Sequence, residues 1–122
     1  MERNPDVKWF AVFLITVALA AAAGEATAQN HPTRFWNLTR NTIAELRLAP
    51  AGAQDWGPDQ CKNDKDGTVE ADERLRMSGV PSGSYDVKLT DLTGRVCVVR
   101  GVRIEAGAIF AIEEKDLTSC AP

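Results

Sequence analysis

The chain has 122 residues, of which 44% are hydrophobic and 25% charged, and its formal net charge is −3. That length supports one domain of ordinary soluble composition. The near-neutral mixture of signs gives no electrostatic case for nucleic acid, which needs a basic face, or for an anionic membrane surface.

The first segment reads as a leader. Arg3 and Lys8 precede an uncharged apolar run from Trp9 to Ala23, and Ala26-Thr27-Ala28 has the small-x-small form of a signal-peptidase site. We read residues 1–28 as a secretory signal peptide, helical in its apolar part and cleaved after Ala28. The apolar run is shorter than the roughly 20 residues needed to span a bilayer core. Residues 29–122 are then a single domain, periplasmic or secreted. Removing two basic residues (Arg3, Lys8) and three acidic ones (Glu2, Asp6, Glu25) moves the net charge from −3 to −2. A domain this small buries only about 60% of its unfolded surface, so a covalent staple would help it.

Arg34 to Thr39 (RFWNLT) is aromatic and β-branched enough to open a sheet, with Trp36 expected in its core. Asn37-Leu38-Thr39 also matches an N-glycosylation sequon. In Thr42 to Leu48, the residues Ala44, Leu46 and Leu48 alternate as in a strand, and the segment is too short before Pro50 to gain much as a helix. Ala49 to Lys65 is broken by Pro50, Gly52, Gly57 and Pro58 and reads as a long loop around Trp56, a candidate recognition surface. Thr68 to Met77 returns to strand.

Gly83 to Ile112 commits most clearly to structure. Tyr85, Val87 and Leu89 alternate with Asp86, Lys88 and Thr90, which places the first set inside and the second in water. Asp91-Leu92-Thr93-Gly94 carries the chemistry of a hairpin turn. Val96 to Val99 return as a strand that Gly101 bulges, and Ala108 to Ile112 follow the turn at Glu105-Ala106-Gly107. These three strands read as an antiparallel meander. The whole is predicted to be all-β, a mostly antiparallel β-sandwich of six to seven short strands.

Cys61, Cys97 and Cys120 are an odd set, so one thiol is left over in an oxidising compartment. The position of Cys120 near the C-terminus favours its pairing with Cys97, although spacing alone leaves the connectivity open. Cys61 would then be a free thiol, able to link two copies or to support a thiol-dependent activity.

One motif suggests a metal. Set against the calcium loop D-x-[DN]-x-[DN]-G-x5-E, Asp64 and Asp66 fall at the third and fifth positions, Gly67 at the sixth and Glu73 at the twelfth. Lys62 stands where the first acidic ligand belongs. Calcium held by Asp64, Asp66, Glu70 and Glu73 therefore competes with a plain solvated turn. No Gly-x-Ser-x-Gly, Cys-x-x-Cys or His-Glu-x-x-His occurs, and His31 is the sole histidine. The composition thus points to a module that is not an enzyme and needs no cofactor.

The NDKDG run at Asn63 to Gly67, the Gly83-x-Tyr85-Asp86-Val87 strand, Gly94-Arg95 and the cysteines at 97 and 120 resemble a group of small secreted bacterial proteins of unassigned function. The Gly-x-Tyr-x-Val strand also resembles carboxypeptidase-regulatory-like and prealbumin-type sandwich modules. The first resemblance implies a Cys97–Cys120 bridge with Cys61 as an addition to the pattern. Both imply a non-catalytic exported domain, monomeric, that binds a protein or cell-envelope partner or serves a structural role.

Overall fold

A computed structural model of the chain describes residues 31–122, so the signal-peptide reading of residues 1–28 lies outside the described residues. Seven strands occur there: β1 (Arg34–Leu38), β2 (Ile43–Pro50), β3 (Arg74–Arg76), β4 (Gly83–Asp91), β5 (Val96–Ile104), β6 (Ile109–Glu113) and β7 (Cys120–Ala121). Among the described residues the only helical turns are two 3₁₀ segments, Gln60–Asn63 and Glu114–Asp116. The strands form two sheets, ordered β3-β1-β6 and β2-β4-β5-β7, over one shared buried cluster. The fold is all-β, as the alternation predicts. Cys97 and Cys120 lie opposite each other on β5 and β7 and are bridged.

The meander stops after two strands. β4 and β5 pair as predicted, but β6 leaves that sheet and pairs in parallel with β1, the one parallel pair among the described strands. The cause lies on both sides of the Glu105 to Ala108 turn. The β5 edge near Cys97 is already taken by β7, and Phe110 and Ile112 bury against β1, where the Phe35 and Phe110 rings lie 5.5 Å apart. Alternation identifies a strand but not its neighbour.

The same parity corrects the reading of Trp36. Phe35, Asn37 and Thr39 point inward and are buried, which turns Trp36 to the outer face, where it is half-buried. Asn37 is fully buried, and its amide donates to the carbonyls of Asn41 and Val69, so the sequon offers no accessible glycan acceptor. In β2 a register shift at Ala44 moves the inward position to Ile43, with Leu46 and Leu48 following as predicted.

Two carboxylates are buried against expectation or beyond it. Asp86, read as facing water, is buried beside a register shift between β4 and β5. It accepts N–H bonds from Gly52 (3.1 Å) and Gly101 (3.0 Å) and one from Arg100, and these donors hold its carboxyl below the usual range. Gly52 and Gly101 both have positive φ, so this one side chain ties two left-handed turns together. Asp91 closes the β4–β5 hairpin. Burial alone would push its carboxyl up, but Thr93, Asn41 and Arg95 all donate to it, and together they hold it well below the usual carboxylate range.

The folded-state depression at Asp91 means that its contribution is complete above pH about 4, where the unfolded carboxyl is already ionised, and is lost as the pH falls further. Asp91→Asn is therefore expected to cost about 2 kcal/mol at pH 7, as for hydrogen bonds to a charged acceptor, with a smaller difference from the parent at pH 3. Urea unfolding at the two pH values checks this. Replacing both Cys97 and Cys120 with Ala should cost about 3 kcal/mol on the chain-entropy estimate for a loop of this length.

Candidate functional site

The long loop around Trp56 acts first as a cover for the free edge of β2. Gly57 donates its N–H to the Leu48 carbonyl (2.8 Å), Asp59 accepts from the Leu46 amide (3.0 Å), and Val69 exchanges two backbone bonds with Ile43. An exposed strand edge is a template for aggregation, and this segment closes it. Trp56 is half-buried, with the Lys88 ammonium 5.6 Å from its ring centroid. A cavity of about 300 Å3, which Trp56 does not line, opens between Leu48, Pro58, Val80 and Tyr85.

Cys61 is free, as expected, but fully buried. Burial, reinforced by the neighbouring Asp59 carboxylate, pushes its thiol up to about 12. A thiolate is the reactive form, so at neutral pH this cysteine has neither the ionisation nor the access that a nucleophile or an intermolecular bridge needs.

The acidic loop is an extension of the same cover. Asp64 accepts from the Asp66 amide (2.9 Å) and Glu73 from the Glu70 amide (2.8 Å), while Gly67 takes a positive φ at the tip. Val69, at the eighth loop position, is buried in the core. Asp64, Asp66, Glu70 and Glu73 do not converge, and among the described residues no group of three or more His, Cys, Asp and Glu is placed to hold a metal ion.

The arrangement with the most chemistry lies elsewhere, on the outer face of the β3-β1-β6 sheet. Register sets it in rungs. Arg76, Arg34 and Ile109 form one rung; Arg74, Trp36 and Ala111 form the next. Alternate residues Leu75, Phe35 and Phe110 point into the core, so these six point out. The Arg74 guanidinium stacks 4.2 Å from the Trp36 ring centroid, and the indole N–H donates to Asp72. Arg34 and Arg76 are direct cross-strand partners of like charge, an unfavourable pairing in a sheet. Among the described residues, none of the Arg34, Arg74 and Arg76 guanidinium groups has a carboxylate within 4.0 Å, and neither does that of Arg40 outside this face, whereas Arg47, Arg95, Arg100 and Arg103 are ion-paired. The face turns acidic beyond these rungs, where Glu113 lies beside Leu38.

No family model matches the chain, and no curated protein or solved structure does. Sequence reasoning missed this face because it took Trp36 for core. The alternation of Arg34, Trp36 and of Arg74, Arg76 was the available signal; it needed the β1–β3 register to become a surface.

Two outcomes test the flagged residues. Cys61 should resist a maleimide in the folded protein and react fully in denaturant, read by mass. Thermal melts in millimolar calcium and in chelator should superimpose, because two of the four carboxylates already accept backbone amides; a rise of several degrees in calcium would restore the metal reading.

Proposed function

We propose that residues 29–122 are an exported, non-catalytic binding module, and that the outer face of the β3-β1-β6 sheet contacts its partner. The carrying observation is the Arg34, Arg74 and Arg76 group around Trp36, without ion pairs among the described residues, on a chain whose net charge is −3. Like charges held side by side cost stability that an anionic partner would return. Arginine and tryptophan are also the residues that most often dominate the energy of binding surfaces.

The leader-like residues 1–28, the Cys97–Cys120 bridge and the resemblance to small secreted bacterial proteins support an exported setting. The partner this reading favours is a protein or cell-envelope component that presents carboxylates.

Two measurements test it. In a bacterial host the full chain should be recovered outside the cytoplasm, starting at Gln29 and oxidised at Cys97 and Cys120. At low salt the domain should be retained on immobilised poly-glutamate despite its net negative charge, and the Arg34→Glu/Arg76→Glu variant should flow through. Equal flow-through of both proteins would end the assignment of this face.

A further inference from the structure

The sheet that carries the arginines ends in an open strand. The Arg34 amide donates to the Ala108 carbonyl (3.1 Å), which sets the parity of the parallel β1–β6 pair. Ala108, Phe110 and Ile112 turn their backbone groups towards β1, whereas Ile109 and Ala111 turn theirs away. Among the described residues β6 is the last strand of its sheet, so the N–H and C=O groups of Ile109 and Ala111 have no strand partner there.

The other edges are treated differently. β2 is closed by residues 57–69, and β3 receives the Asn63 side chain on the Arg76 carbonyl (2.9 Å). β5 is covered by β7 at one end and, beyond it, carries a register irregularity flanked by Arg100 and Arg103. Bulges and charges of that kind discourage pairing. β6 has neither until Glu113. Its edge residue Ile109 is 50% exposed, one of two large hydrophobic side chains so exposed among the described residues.

We propose that β6 accepts an extended, acidic peptide segment as an added strand of the β3-β1-β6 sheet. The inference rests on the binding reading above and specifies its partner. Main-chain bonds to Ile109 and Ala111 would supply the register, as in other strand-addition complexes. Alternate side chains of the guest would lie on the outer face beside Ile109 and Ala111, one strand away from Arg34 and Trp36. A carboxylate there shares a rung with Arg34 across Ile109, about 10 Å away at two strand spacings and within reach of two long side chains, in the half of the face that carries Arg34 and Arg76 rather than Glu113. An apolar guest would bury Ile109 but leave the arginine pair unrelieved, and a basic one would add to it; the charge pattern selects acid.

The test uses the isotopically labelled oxidised domain and a synthetic octapeptide of alternating threonine and glutamate, with the threonine–lysine peptide as control. Amide shifts should move at Ile109 and Ala111 with the glutamate peptide only. Ala111→Pro removes one outward N–H that has no strand partner, so the fold should be kept while binding is lost. Arg34→Glu/Arg76→Glu should weaken binding roughly tenfold or more, with a strong salt dependence. Wild-type shifts keep the question open to decision even if the proline variant fails to fold. Shifts confined to the arginines, or undiminished binding by folded Ala111→Pro, would overturn strand addition while leaving the binding face standing. No binding of either peptide together with no poly-glutamate retention would remove both. Self-association broadening the Ile109 and Ala111 amides without peptide would assign the edge to a second copy instead and overturn the proposal.

Discussion

The parallel contact of β1 with β6, with Phe35 against Phe110 inside, is the constraint on which the rest of this architecture depends. It joins a strand from the start of the described domain to one near its end, and it carries β6 from one sheet to the other. Because side chains alternate along a strand, committing Phe35 and Phe110 to the core commits Arg34, Trp36, Ile109 and Ala111 to the outside. The arginine face and the open edge are thus consequences of core packing. Replacing Phe35 by a polar residue would remove both at once.

Around that contact, the domain closes its remaining strand ends with polar side chains. Asp86 joins the Gly52 and Gly101 turns, Asp91 organises the β4–β5 hairpin, and Asn37 links the β1–β2 turn to Val69. No buried side-chain nitrogen or oxygen among the described residues lacks a hydrogen-bond partner. A small sandwich can bury carboxylates only on these terms, since a buried charge without donors costs several kcal/mol. The acidic run 63–73 belongs to the same economy of backbone satisfaction, which leaves the arginines of the β3-β1-β6 face conspicuous for their lack of carboxylate partners among the described residues.

Much of the fold was legible because its signals are local. The β4 and β5 alternation, the Asp91 to Gly94 turn and the strand character of Ile43 to Leu48 need only neighbouring residues and their periodicity. What was not legible is non-local. Nothing in Ala108 to Ile112 says that its partner is β1 rather than β5, and nothing around Trp36 says which of Phe35 and Trp36 faces in. Asp86 looked like a solvated residue because β4 keeps its alternation there; its burial comes from the Gly52 turn and the extra β5 residue at Gly101, which donate to it, and only Gly101 marks that bulge in the sequence. The candidate site inherits the same difficulty: its arginines are 40 or so positions apart along the chain and meet only through strand register.

Amide hydrogen exchange along β6 tests the register most directly. Phe110 and Ile112, bonded to β1, should exchange slowly, while Ile109 and Ala111 between them exchange fast, the two-residue alternation of an open edge strand in the phase that the β1–β6 register sets. Uniform protection from Ile109 to Ile112, or the opposite alternation, would contradict the placement of β6 and with it the outer face built on that placement.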